Sequence, residues 1–286
     1  MKKEIDHTPA ILHFSQQGMQ CWVRSSEMLF SWILIQILSK KDTEVIFYEE
    51  LFPKSIINDD KERKTAIIEF NQRALGRHLR SFENPEISLD SLIVKIYREF
   101  GSQSFSPEIF PSIIANYLNI LKRYSSFSIT PPFIDIIFDN DEIFEQIGNI
   151  RYLNFQQGTN GTIISGLLIG KDRNIWEKLE FNKKVSLLVQ CLKYSPVVIE
   201  IPGHAVLLSG YNKKKNIFIL NDSMRNSHNF IKEKVLINII TSIIMFVRVP
   251  SQITDKEIDE FLNKELKSTA LTAQKSSKSL IAIKKP

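Results

Sequence analysis

Cysteine is scarce in this 286-residue chain, which has only Cys21 and Cys191. Two thiols allow at most one disulfide, which excludes a small stapled scaffold and a four-cysteine zinc site. Histidine is sparse as well. Its five residues are scattered and form no His-Glu-x-x-His, so no metal centre is expected. The sequence lacks a glycine-rich phosphate loop, and no nucleotide or other cofactor is expected. It also lacks a long apolar run: Val235–Val249 is broken by Asn238, Thr241 and Ser242. That stretch falls short of the ~20 residues a membrane helix needs, so no membrane span is expected. Met1–Phe14 carries Glu4 and Asp6 and no apolar segment of signal-peptide length. The expected location is therefore the cytoplasm of the producing cell. Finally, the charge is not one-sided. Lys and Arg, 37 against 32 Asp and Glu, are mixed with acids, as in Lys61-Glu62-Arg63-Lys64. Such runs read as solvated helix faces, and no nucleic-acid partner is expected without a basic stripe interleaved with aromatics.

What is present is apolar material: 43% hydrophobic residues, including 19 Phe, beside 24% charged ones. That balance excludes wholesale disorder. At roughly 100–200 residues per domain, the length allows one large domain or two small ones. Apolar periodicity predicts a mostly buried helix over Cys21–Leu38, then helices over Lys61–Arg80, Ser88–Phe100, Ser106–Tyr124 and Asp141–Ile147. After residue 150 the pattern changes. Thr162–Ile169, Val197–Ile201, His204–Tyr211, Ile217–Asn221 and Ile239–Val249 read as strands, with a helix over Asn182–Tyr194 between them. A last helix, Asp255–Lys267, precedes a basic Ser/Lys/Ala tail expected to be disordered. The fold class expected is α+β.

Two stretches carry chemistry. In Gln16-Gln17-Gly18-Met19-Gln20-Cys21-Trp22-Val23 a cysteine stands at the mouth of an apolar helix. There it meets unsatisfied backbone N–H groups and the positive end of the helix dipole, which favour the nucleophilic thiolate. Cys191 lies within an amphipathic helix and reads as a core residue. In the second stretch His204 opens an apolar strand after Pro202-Gly203, and the next strand ends in Asn221-Asp222. Hairpin pairing of these strands would bring an acceptor to the imidazole. Strand alternation allows only one of Asn221 and Asp222 to serve.

The order Cys, His, Asp/Asn, with Cys-Trp at a helix start and Gly-His at a strand start, resembles the papain-like cysteine peptidase superfamily. Within it, the bacterial branch of bacteriocin-leader peptidases and papain-like secreted effectors is most similar. The resemblance rests on Gln16, Cys21-Trp22, Gly203-His204 through Gly210-Tyr211, and Leu220-Asn221-Asp222. It implies a papain-like fold over 1–267: an N-terminal nucleophile helix, a mainly helical insertion or cap over 44–150, and a C-terminal antiparallel sheet, with the tail occupying 268–286. It implies a thiol protease (a hydrolase) in which Cys21 is the nucleophile and His204 pairs with it as acid and base. Asp222 would orient His204, and Gln16 would join the Cys21 N–H as oxyanion donor, with Gln17 and Gln20 as rivals. The substrate would be a protein or peptide, and the resemblance to secreted effectors implies delivery into another cell as the alternative location. The sequence departs from papain in having Met19-Gln20 where papain has Gly-Ser, and in lacking its disulfide cysteine.

Gln20-Cys21-Trp22-Val23 is also similar to the start of a transglutaminase active site. There the histidine follows closer and precedes another aromatic, whereas His204 is distant and precedes Ala205. Transglutaminase or glutamine deamidase, and an inactive papain-fold binding protein, are the alternatives. The oligomeric state is not legible.

Overall fold

The computed structural model describes residues 4–72, 88–104, 117–118, 120–126, 150–154, 163–169, 180–225, 228–240 and 242–249. Its architecture is mixed helix and antiparallel sheet, the α+β class expected from the sequence.

The first strand, β1 (Glu4–Asp6), leads through a 3₁₀ turn to α1 (Cys21–Ile37). The next helices are α2 (Lys40–Tyr48), α3 (Asp60–Phe70) and α4 (Leu89–Ser104), with further helical backbone at 117–118 and 120–124. Beyond them come β2 (Ile150–Asn154), β3 (Ile163–Ile169) and α5 (Phe181–Tyr194). Strands β4 (Val197–Ile201), β5 (His204–Asn212), β6 (Ile217–Asn221) and β7 (His228–Lys232) follow, then α6 (Glu233–Ile239) and β8 (Ser242–Val249).

The eight strands form one sheet in the order β2-β3-β8-β4-β5-β6-β7, with β1 added to β5. Strand β5 accepts three partners because its two halves differ. Its first half pairs with β4 from His204 to Leu208, and its second half pairs with β1 from Gly210 to Asn212. A register irregularity between Leu208 and Gly210 separates the halves. There the chain packs so closely that a Cβ on Gly210 would lie 2.4 Å from the Ile5 carbonyl oxygen.

Helix α1 is buried on nearly every side, from Val23 through Leu34. One side meets the sheet, where the Ser25 hydroxyl donates to the Ala205 carbonyl of β5 at 3.0 Å. On another side lies an aromatic cluster. Phe30 meets Phe47 and Tyr117 edge-on, and Phe52 stacks on Tyr117 at 5.0 Å. The described part of 44–150 thus shares its hydrophobic core with α1 and the sheet.

The expected strand over Ile239–Val249 is corrected at its start. Glu233–Ile239 is helical and the strand begins at Ser242. Helix α2 was not expected. It is capped by Ser39, whose hydroxyl accepts the Asp42 N–H at 3.0 Å. The expected helix over Lys61–Arg80 is regular to Phe70, and its segment 73–80 lies outside the described residues. So do the Ser106 start, the helices at Asp141–Ile147 and Asp255–Lys267, and the tail.

Candidate active site

Cys21 is the first residue of α1, behind Gln20, whose side chain makes no capping hydrogen bond to the helix. The first helical bond is Arg24 N–H to Gln20 carbonyl at 2.9 Å, so the N–H groups of Cys21, Trp22 and Val23 lie ahead of the helical ladder. Gly18 reverses the chain just before this point with φ 68°, a left-handed conformation that suits glycine. The loop is held from above by Tyr97 of α4, whose hydroxyl donates to the Met19 carbonyl at 2.9 Å.

His204 is placed by the turn between β4 and β5. Ile201 and His204 are paired, leaving Pro202-Gly203 as a two-residue connection in which Gly203 has φ 73°. Proline followed by a positive-φ glycine is the composition of a type II turn. It delivers His204 to the mouth of β5, facing the start of α1. Cys21 and Trp22, the end of β4 at Glu200 and Ile201, the Pro202-Gly203 turn, and His204 and Ala205 together line a cleft of about 400 Å³.

Asp222 lies just beyond β6. Its Oδ1 is 2.8 Å from His204 Nε2 and also accepts the Met224 N–H at 2.9 Å. Its Oδ2 is 3.8 Å from Arg225 Nε. A carboxylate held also by the Met224 N–H and near Arg225 offers the imidazole a defined partner at Nε2, and Nδ1 is the ring nitrogen this bond leaves over. Asn221, the rival acceptor, is buried within β6, and its Nδ2 has no hydrogen-bond partner among the described residues.

Gln16 occupies a different position from a donor aimed into the cleft. Its Nε2 donates to the Gly18 carbonyl at 2.9 Å, and its Oε1 accepts from the Ser223 hydroxyl at 2.6 Å. Its backbone N–H reaches the Ser223 carbonyl at 2.9 Å. Gln16 thus straps the loop before Cys21 to the loop after Asp222. Of its rivals, Gln20 is buried and accepts the Gln17 N–H at 3.3 Å.

Several neighbours were not singled out in the sequence. Glu200 accepts the Trp22 indole N–H at 2.8 Å; its signal was an acid inside the otherwise apolar Val197–Ile201. Under Cys21, Arg24 binds Glu27 at 2.6 Å and also Asp90 at the start of α4. Burial, opposed by Arg24 and reinforced by the nearby Asp90 carboxylate, pushes Glu27 up to about 8. The signal was a charged pair three residues apart within an apolar helix. His13 sits near Asp222 and His228 and hydrogen-bonds the Arg225 backbone; burial lowers its basicity, so the ring favours the neutral form. His7 is structural, with Nε2 2.7 Å from the Leu192 carbonyl and its ring edge-on to Trp32.

Cys191 is fully buried, and burial pushes its thiol up to about 12, the state of an inert core residue. Among the described residues no cluster of His, Cys, Asp and Glu has the makings of a metal site, and no helix is long and apolar enough to cross a membrane. Compared with known proteins, the sequence matches no family model and no curated protein.

Proposed function

We propose that this protein is a papain-like cysteine peptidase that cleaves a polypeptide amide through a thioacyl-enzyme. The observation that carries the proposal is the His204–Asp222 hydrogen bond through Nε2, at the rim of the same cleft that Cys21 enters from a helix start. In this reading Cys21 Sγ, as thiolate, attacks the amide carbon, and the carbonyl oxygen becomes an oxyanion. The Cys21 N–H meets that charge where it develops. Gln16 supplies a second donor once its amide turns from the Gly18 carbonyl. As the C–N bond breaks, His204 Nδ1–H gives its proton to the departing amine, leaving a thioester. Water then attacks the thioester and passes a proton to Nδ1. The acid leaves, and the thiolate and imidazolium are restored. Asp222 holds the ring orientation throughout, and Nε2–H donates to it in both protonation states.

The test is covalent labelling with a peptidyl epoxide. Intact-mass and peptide mapping should place one adduct on Cys21, and His204→Ala should slow labelling ~10²–10⁴-fold, the span of acid–base assistance. Equal, slow labelling of Cys21 in both proteins would refute the reading.

A further inference from the structure

Positive charge gathers at the end of the sheet away from the cleft. Strand β5 runs from His204, at the cleft, to Asn212, roughly 26 Å away at ~3.3 Å per residue. Several strand ends meet at Asn212. Glu4 of β1 pairs with Asn212, Asn212 with Ile217 of β6, and Ile217 with Lys232 of β7. Helix α6 starts there too, since the Glu233 N–H donates to the Asn216 carbonyl at 3.1 Å. Lys213, Lys214 and Lys215 form the tip of the β5–β6 hairpin, and Lys232 and Lys234 stand beside it. All five are exposed, and among the described residues none of them forms an ion pair. The acids on these strand ends have other contacts: Glu4 Oε1 accepts from Asn212 Nδ2 at 2.8 Å, and Glu233 accepts from the Tyr211 hydroxyl.

The turn itself does not call for lysine. Its shape comes from the flanking asparagines: Asn212 Oδ1 accepts the Lys215 N–H at 3.1 Å, and Asn216 takes a left-handed φ of 52°. Guarding the exposed edge of β7 accounts for Lys232 but not for three adjacent like charges in a tip, which repel one another. In α3, by contrast, acids are interleaved with the bases, as in Lys61-Glu62-Arg63-Lys64. The five cations are all Lys, a point charge suited to a diffuse negative surface. Arg, whose planar fork matches a fixed carboxylate or phosphate, is not used. Exposed apolar side chains sit among the lysines. Val235 follows Lys234, and Phe230 shares the outer face of β7 with Lys232. Lysines mixed with exposed apolar side chains fit the headgroup region of an anionic bilayer.

We propose that this end of the sheet docks on an anionic lipid surface, with Lys213, Lys214 and Lys215 among the headgroups and the cleft left open at the other end. The inference does not depend on the peptidase reading.

The test is sedimentation of the full chain with vesicles of phosphatidylcholine alone or with about 30% phosphatidylserine, at low and at high salt. The chain should bind the phosphatidylserine vesicles at low salt, lose most of that binding at high salt, and leave phosphatidylcholine alone. Lys213→Gln, Lys214→Gln and Lys215→Gln together should weaken binding ~100-fold, about fivefold for each lysine removed. Lys214→Gln alone should show its fivefold share if the triple variant does not fold. The same charge removed from α2 and α3, by Lys40→Gln, Lys61→Gln and Lys64→Gln, should change binding less than about threefold. Equal losses in the two triple variants would mean that net charge alone is read, and would overturn the docking surface. Equal binding to both kinds of vesicle, or binding to neither, would overturn it as well. Binding to soluble polyglutamate with none to vesicles would assign the lysines to an acidic protein instead.

Discussion

His204 Nε2 and Asp222 Oδ1 lie 2.8 Å apart across a hairpin, one at the mouth of β5 and the other just past the end of β6. The carboxylate does not depend on the imidazole for its position. The Met224 N–H and Arg225 hold it from its own loop, while the Gln16–Ser223 strap ties that loop to the approach to Cys21. The carboxylate therefore has supports of its own besides the imidazole.

Removing Asp222 should slow the thiol without unfolding the protein. A hydrogen bond to a charged group is worth ~1.5–3 kcal/mol, so Asp222→Ala should label with a peptidyl epoxide roughly 10–100 times more slowly. Asn221→Ala, which removes the buried rival, should leave the rate of the folded protein nearly unchanged. Time courses by intact mass check both, and the reverse ranking would assign the acceptor role to Asn221.

The two thiols should separate cleanly. Cys191, with burial holding its thiol near 12, is protonated at pH 8 and closed to solvent. Iodoacetamide should add one group, on Cys21, to the native protein and two after unfolding in guanidinium. A second adduct in the native state would mean that the region around α5 opens readily.

These contrasts show what could be read from the chain and what could not. The helix start at Cys21, the strands β4 to β6 and the hairpin that joins His204 to an acid were legible because apolar runs and turn residues are local signals. Which of Asp222 and Asn221 meets His204 was half legible: alternation allowed only one of them, and the 2.8 Å contact from His204 Nε2 goes to Asp222. Helix α2 escaped because its packing face is only Thr43, Ile46 and Phe47. The start of β8 was misjudged because Val235, Leu236 and Ile237 are as much at home in a strand as in α6. Strand β1, three residues long and partly acidic, owes its place to the gap left where β4 stops along β5. Gln16 was singled out by spacing alone, and spacing carries no information on its bond to Ser223.

The buried group under Cys21 should give the protein a pH-dependent stability. Burial holds the Glu27 carboxyl near 8, so folded Glu27 keeps a proton that the unfolded chain loses near the ordinary value of 4.5. Where the native state binds more protons, stability falls as pH rises, here between about 4.5 and 8, and then levels off. Glu27→Gln has no such slope, so its urea midpoint should gain on wild type from pH 5 to pH 8. A constant gap would show that Glu27 is ionised throughout. Arg24→Met, which removes the partner of both the protonated Glu27 and the Asp90 carboxylate, should cost about 1–3 kcal/mol near neutral pH.

Gly210 should tolerate no side chain. A Cβ there would lie 2.4 Å from the Ile5 carbonyl oxygen and 2.9 Å from Ile219 Cδ1, so β1 must move to admit it. Gly210→Ala should lower stability by about 1–3 kcal/mol, the usual cost of overpacking, as read from the denaturant midpoint. An unchanged midpoint would mean that β1 contributes nothing to the fold.

The most direct test of the central claim is digestion of a whole bacterial proteome in ¹⁸O-enriched water with wild type and with Cys21→Ala, followed by mass spectrometry of the termini. Wild type should create new N-termini paired with C-termini carrying ¹⁸O, the mark of an amide hydrolysed by solvent water, and Cys21→Ala should create none, which ties the hydrolysis to the thiol. New termini in equal number with Cys21→Ala would contradict the account. So would ¹⁸O confined to glutamine side chains converted to glutamate, with no chain cleaved.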